Sequence, residues 1–294
     1  MTCRRRNRIK SEVPSAAVDN ILAVPSFGEE NALFVKIRDL QASGRFPPCQ
    51  LQGVTIVSSS NVSSSRTDRP LLLEPSECWD DTVSNLTVWH AFRMSIESKH
   101  KFDVLEDGVL VKQGETAREL ESWNLAVTAA LVQCLGEPSD FAELEPYSLM
   151  EVPLPESLWH LRPNLHLRKT LHILEDRHLP LRANCTSAGT FADLNIDYNH
   201  CRLSLPIGGS SAIWLLYPPT EANLRHFYTA RNESSRLSMI SQGLEGGYAV
   251  ELDASKVLYI PPGWIYCTFT AKGGLLLNSN FVAIEHLARV SQHC

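Results

Sequence analysis

The stretch DLNIDYNH spans residues 193–200 and follows the turn-like TSAGT of residues 186–190. It begins as a strand, in which residues two apart point to the same face. Asn195 and Asp197 therefore share a face, and if that face lines a β-barrel, the pair lies where a metal ion or a ligand binds. Asp197 is a candidate metal ligand, whereas the neutral amide of Asn195 is a far weaker ligand for a transition metal than an imidazole.

The composition is ordinary for a globular protein, since 44% of the 294 residues are hydrophobic and 20% are charged. No run of about 18 apolar residues occurs, so we expect no membrane span and no membrane partner. The formal net charge of -6 argues against direct binding to nucleic acid, which needs a basic surface.

The cysteines and the N-terminal charges bear on location. The eight cysteines form no C-x-x-C pair, which gives no support for a zinc finger or a thioredoxin-like site. No apolar secretory segment follows Met1, and we therefore expect a reducing, intracellular setting. Residues 4–10 read RRRNRIK, which is either a nuclear-import patch or a solvated tail. Between nucleus and cytoplasm, this run favours the nucleus.

The first half of the chain predicts a tail followed by strands and one helix. We expect residues 1–30 to form a disordered basic tail and lead-in, and residues 31–144 to supply strands and a helix that pack on a barrel. Short apolar runs predict strands at 34–37, 51–57 and 86–92, and a hairpin at 102–111. The Ser-rich run 58–69 predicts a surface loop, and helical spacing predicts a helix over 116–134 that places Trp123 in the core.

The sequence pattern changes at about residue 147. Short apolar runs alternate with turn signals, which predicts an antiparallel sandwich or barrel with flanking helices, a mostly β, α+β fold. The runs are 148–152, 181–183, 203–207, 213–217, 248–252, 257–260, 264–270 and 275–281. Thr220 predicts the N-cap of a short helix whose Leu224 and Phe227 face inward.

Three segments of this half occur in the order of a known family. They read TFADLNID at 190–197, GGSSAIWLLYPP at 208–219 and VLYIPPGWIY at 257–266, and NFV follows at 280–282. Together, and with the Pro-Pro-Gly-Trp turn, they resemble a JmjC (Jumonji C) domain over roughly residues 145–290. The resemblance implies a double-stranded β-helix of the cupin type. It also implies an Fe(II)- and 2-oxoglutarate-dependent oxygenase acting on protein side chains, often methyl-lysine in histones.

The family binds iron through His-x-Asp/Glu and a distal histidine, which leave open positions for cosubstrate and oxygen. By the resemblance, Asn195 stands at the first histidine position, Asp197 at the carboxylate position and Tyr266 at the distal histidine position. Tyr266 would have to ionise to bind a metal, and a phenol with a pKa near ~10 does so at neutral pH only beside a strongly held metal.

The resemblance also places the cosubstrate pocket. In the family, a lysine pairs with the distal carboxylate of 2-oxoglutarate. By the resemblance, that position in this sequence lies two residues before Trp214 and is occupied by Ala212. Asn280, which can touch the cosubstrate, is retained. Loss of a hydrogen-bonded partner of a buried charge typically costs about 3–5 kcal/mol, or roughly a hundredfold to several thousandfold in affinity. Three such losses in one pocket favour a site without iron-dependent oxygenation.

These residues leave three readings open. The first is a catalytically impaired JmjC-domain protein with no cofactor, which binds a protein partner in chromatin, with a histone as the candidate. The second is an active Fe(II)/2-oxoglutarate oxygenase that uses Asp197, Tyr266 and His200. His200 would point to the opposite face from Asp197 if the strand continues, unless a bulge re-aims it. The third is a metal-free cupin that binds a small ligand.

Overall fold

Strands dominate the chain and build two large sheets that pack face to face in a computed structural model of the protein. The described residues are 31–56, 68–98, 101–107, 109–111, 113, 116–136, 144–178, 181–231 and 233–284. None of the helices in these ranges is both long and apolar enough to cross a membrane. The expectations for residues 1–30 and for most of the 58–69 loop lie outside the described residues.

The strands described are β1 (Thr55–Ile56), β2 (Leu71–Leu73), β3 (Asp103–Glu106), β4 (Val109–Val111), β5 (Tyr147–Pro153), β6 (Ile173–His178), β7 (Arg182–Thr186), β8 (Phe191–Ile196), β9 (Cys201–Ile207), β10 (Ser211–Tyr217), β11 (Tyr248–Asp253), β12 (Val257–Ile260), β13 (Ile265–Lys272) and β14 (Gly274–Ala283). The helices described are α1 (Ala32–Ala42), α2 (Pro75–Cys78), α3 (Asn85–Glu97), α4 (Ala117–Leu135), α5 (Leu165–Thr170), α6 (Glu221–Thr229) and α7 (Arg236–Ile240). Short 3₁₀ turns lie at Glu156–Leu161 and Ser241–Gly243.

The first sheet has the order β1-β11-β10-β13-β8, and the second has the order β2-β12-β9-β14-β7-β5-β3-β4, with β6 paired to β14. The strand pairs are antiparallel except β1 with β11. This architecture confirms the prediction of a mostly β, cupin-like barrel with flanking helices. Strands of the N-terminal half extend both sheets, since β1 joins the first sheet and β2, β3 and β4 join the second.

Three hydrophobic clusters follow from the alternation of side chains along the strands. The interior cluster lies between the sheets and includes Trp214, Leu216, Leu258 and Tyr266. A second cluster joins the outer face of the first sheet to α1, α6 and α7, and a third joins the outer face of the second sheet to α2, α3, α4 and α5. Because each sheet is covered on its outer face, its strands are buried on both sides and read as nearly continuous apolar runs.

Two strand predictions are wrong. Residues 34–37 lie in α1, where Leu33 and Ile37 are buried four residues apart and Asn31 caps the first turn. Residues 86–92 lie in α3, which begins after Ser84 and buries residues at helical spacing. A run of four to seven apolar residues is too short to distinguish the two-residue repeat of a strand from the 3.6-residue repeat of a helix. The polar N-cap side chains are the features that identify these two segments as helices.

The other elements of the N-terminal half agree better with the sequence. The 102–111 hairpin forms as β3 and β4, although the strand predicted at 51–57 is limited to Thr55–Ile56. Helix α4 begins at a capping box between Thr116 and Glu119. Trp123 packs against the core beside Phe102, as predicted.

Candidate functional site

Asn195 and Tyr266 face each other across two paired strands. They are register partners in β8 and β13, and Asn195 Nδ2 donates a long hydrogen bond of 3.4 Å to the Tyr266 hydroxyl. The amide oxygen of Asn195 accepts the backbone N–H of Ile196 at 2.9 Å. The atom of Asn195 that is able to ligate a metal is therefore engaged locally, and its NH₂ group points toward Tyr266.

Asp197 lies just beyond the end of β8, in the turn that leads to β9. Its Oδ1 accepts the backbone N–H groups of Asn199, at 3.2 Å, and of His200, at 3.1 Å. Its backbone oxygen accepts the N–H of Gly263 at 2.6 Å, which joins this turn to the Pro-Pro-Gly turn between β12 and β13. Asp197 thus organises two turns at one end of the barrel, and the shared strand face predicted for Asn195 and Asp197 ends at Ile196.

His200 lies beside Asp197, with Nδ1 3.3 Å from Asp197 Oδ1. Because the chain turns after Ile196, His200 returns to the carboxylate and does not point to the opposite face of a continuing strand. The two side chains supply a pair of candidate ligands. Within the described ranges no group of three His, Cys, Asp or Glu side chains is placed to hold a metal ion.

Tyr266 is buried inside the barrel, and its ring lies 5.7 Å from that of Trp214. Burial raises the pKa of the Tyr266 phenol, and the positive charge of Arg202 opposes this rise without cancelling it. The phenol is therefore neutral at physiological pH, and a neutral phenol is a poor ligand for a divalent metal.

Arg202 is the site residue that sequence reasoning missed. It lies on β9 with its side chain only 13% exposed, and its guanidinium carbon is 5.4 Å from the centre of the Tyr266 ring. Its Nε donates to Oδ1 of Asn280, its register partner on β14, at 3.2 Å. Burial lowers the pKa of Arg202, but the Glu151 and Asp197 carboxylates and a hydrogen bond with Tyr266 outweigh burial and raise it above its ordinary value. Arg202 is accordingly a permanent cation.

Glu151 lies between two arginines. One carboxylate oxygen is 3.5 Å from Arg182 Nε, and the other is 3.9 Å from Arg202 Nη2. Glu151 sits at an irregularity in the β5–β7 pairing and has a φ of 56°, a left-handed conformation that is uncommon for a residue other than glycine. Its N–H donates to Asn184 Oδ1 at 2.8 Å, which holds this conformation in place.

A cleft of about 730 Å³ is lined by residues of both sheets, Ala212 among them. Its walls carry small polar side chains, among them Thr186, Thr190 and Thr268. Ala212 is 8% exposed and brings no charge to this wall. The volume falls within the range of roughly 300–1,000 Å³ that is usual for ligand pockets.

Two donors of the barrel interior have no hydrogen-bond partner among the residues that the structure describes: Trp214 Nε1 and Asn278 Nδ2. Trp214 shares its strand face with Ala212, and Asn278 shares its face with Asn280, because side chains two apart point the same way. The Asn278 oxygen accepts the Ser204 hydroxyl at 2.8 Å. This part of the barrel interior is therefore suited to a group that offers oxygen acceptors.

The side chains at the three metal-ligand positions do not fit iron in the arrangement that the resemblance implies. That arrangement needs two neutral imidazoles and a carboxylate. Here the corresponding positions offer an amide NH₂ group, a neutral phenol and a carboxylate that caps a turn, with a guanidinium beside them.

The alternation of apolar and polar residues along β9 and β14 was the sequence signal that could have identified Arg202 as a site residue. Apolar residues at 201, 203 and 205 alternate with Arg202 and Ser204, and Asn278 and Asn280 alternate with their neighbours. A polar residue on the inward face of each of two strands indicates a polar interior at that level. Cys267, which follows Tyr266, faces the outer cluster of the first sheet, as expected from the same rule.

Comparison with known proteins gives relatives over one third of the chain, and no family model matches. JmjC domain-containing histone demethylation protein 1 of Saccharomyces cerevisiae is 28% identical over 98 residues, which are 33% of this chain and 20% of that protein. The protein of the same name from Debaryomyces hansenii is 29% identical over 112 residues, which are 34% of this chain and 22% of that protein. The matched region thus spans about a fifth of these curated relatives.

Solved structures give more distant likenesses. YcfD, a ribosomal oxygenase from Escherichia coli, has a TM-score of 0.41 at 15% identity, over 80% of this chain and 55% of that one. The same protein in complex with cobalt and 2-oxoglutarate has a TM-score of 0.39 at 16% identity, over 73% of this chain and 48% of that one.

Proposed function

We propose that this chain, a JmjC-domain protein of the 2-oxoglutarate oxygenase superfamily, does not catalyse oxygenation and acts by binding a protein partner. The observation that carries the proposal is the Asn195–Tyr266 contact, in which both histidine positions of the family's metal motif are bonded to each other. Ala212 at the lysine position supports it, because a dianionic cosubstrate would lack its charged partner.

The partner is a protein of chromatin, with a histone tail as the first candidate, and the location is nuclear. The relatives are named for histone demethylation, which supports this choice. The cleft is large enough for a short peptide segment, and its lining carries both acidic side chains (Asp107, Asp193 and Glu233) and basic ones (Arg45, Arg236 and Lys272). Exposed Glu233 is the acidic group that a basic tail would contact.

Anaerobic titration with Fe(II) and 2-oxoglutarate tests the loss of catalysis. We expect no charge-transfer band, and equally weak iron binding by the wild type and by Asp197→Ala, measured by absorption and calorimetry. Stoichiometric iron binding that disappears in Asp197→Ala would overturn the proposal and favour the active oxygenase. The 3.3 Å contact between His200 and Asp197 is the observation in favour of that second candidate.

Peptide binding tests the partner. We expect Glu233→Lys, in the cleft, to weaken binding of a labelled basic histone-tail peptide several-fold in fluorescence anisotropy. Glu221→Lys, which reverses an exposed charge on α6 that does not line the cleft, serves as the matched control and should leave the affinity unchanged. Equal affinities for the two variants would argue against the cleft as the binding surface.

A further inference from the structure

Arg202 joins the two sheets at the end of the barrel where Asn195 and Tyr266 meet. Arg202 belongs to the second sheet, where Asn280 is its register partner. Its guanidinium lies over the ring of Tyr266, which belongs to the first sheet. The groups around it are electron-rich: an amide oxygen, an aromatic face and the Glu151 carboxylate. Each of these groups favours a cation at this point.

Positive charge is already present at this end of the barrel among the described residues. The guanidinium groups of Arg182 and Arg202 both face the Glu151 carboxylate, and Asp197 adds a second negative charge near Arg202. A divalent cation beside Tyr266 would add two positive charges within reach of a guanidinium that cannot lose its proton. The repulsion is strongest at Tyr266 and Arg202, which are mostly buried, and weaker toward Asn195, which is exposed.

We propose that Arg202 provides a permanent positive charge in the barrel interior. This charge replaces the one that a metal ion would supply and excludes the metal from the site by repulsion. The inference rests on the proposed function, because it explains how the fold keeps its polar interior without iron. It predicts that restoring the two histidines alone does not restore a metal site.

The test rebuilds the ligand set with and without the guanidinium. The double variant Asn195→His/Tyr266→His supplies two imidazoles beside Asp197, and Arg202→Met is then added as a third change. Co(II) binding is measured by visible absorption and by calorimetry. We expect the triple variant to bind Co(II) at least tenfold more tightly than the double variant. A triple variant with Arg202→Lys, which keeps a positive charge, should resemble the double variant.

Equal Co(II) affinity of the double variant and the Arg202→Met triple variant would overturn the inference. Circular dichroism and thermal unfolding establish that each variant is folded, and Arg202→Gln, which retains a donor for Asn280, replaces Arg202→Met if the latter does not fold. The wild type is titrated in parallel. Tight metal binding by the wild type would remove the proposed function itself, whereas equal binding by the rebuilt variants removes only the role of Arg202.

Discussion

Asn195 illustrates how one amide changes the chemistry of a position. Its oxygen is turned to the backbone of Ile196 and its NH₂ group to Tyr266, so the side chain completes a hydrogen-bonding pattern of its own. The motif was visible in the sequence because its spacing is fixed by the strand. The orientation of the amide was not visible, since it depends on a residue 71 positions away.

Asp193, two residues earlier, has a structural task. Its carboxylate accepts the backbone N–H groups of Arg236, at 2.7 Å, and of Leu237, at 3.0 Å, at the start of α7. We expect Asp193→Ala to lower the free energy of unfolding by about 1–2 kcal/mol, as for the loss of other helix caps. Asp193→Asn keeps an acceptor and should lose less. Urea unfolding measures both, and a larger loss for Asn than for Ala would contradict this assignment.

At the scale of elements, turns decide where the site residues lie. Gly263 in the Pro-Pro-Gly turn has a φ of 81° and donates its N–H to the Asp197 backbone oxygen. That turn was predictable from its residues, because proline and glycine impose the required backbone angles. The link to the Asp197 turn was not predictable, because it joins segments more than sixty residues apart.

Gly263→Ala tests this turn. A methyl group at Gly263 would meet Pro219 only at ordinary contact distances of 3.5 and 3.7 Å, so the cost comes from the left-handed backbone. We expect the free energy of unfolding to fall by about 1–2 kcal/mol. Gly209→Ala is the matched control, since Gly209 is an exposed turn glycine with open space around its Cα. Chemical denaturation of both variants should show a loss for Gly263 alone; an equal loss would show that the conformation of Gly263 is not the cause.

Most strands of the second half were predicted because they are buried on both faces and bounded by Gly and Pro, but β6 was not predicted. In the first half, α1 and α3 were mistaken for strands because their apolar runs are short. Their polar N-caps, Asn31 and Ser84, carried the missing information. The helical face of each element became clear only from what it packs against.

At the scale of the molecule, buried thiols link stability to pH. Burial raises the pKa of Cys201 to about 12, and burial also raises the pKa of Cys267. In the unfolded chain a thiol titrates near ~8.5. The folded chain therefore holds more protons above that pH, and the stability present below about pH 8.5 is lost as the pH rises toward the folded pKa.

We expect the free energy of unfolding to fall above about pH 8.5, by up to about 1.4 kcal/mol per pH unit for each such thiol. Urea unfolding between pH 7 and 10, with reductant present, measures this slope. Cys201→Ala is the control: its stability is lower throughout, but its slope should be shallower than that of the wild type. A stability that stays constant across this range would contradict the linkage.

Three hydrogen bonds between strands that are distant in sequence bear on the rate of folding. Asn195–Tyr266, Ser204–Asn278 and Arg202–Asn280 join residues separated by 71, 74 and 78 positions. Contacts of such sequence separation require the closure of long loops, which slows folding. None of these bonds forms within a single hairpin, so the polar interior assembles only when the distant strands of the barrel come together. A chain in which these strands have not yet met therefore leaves the Arg202 guanidinium in water.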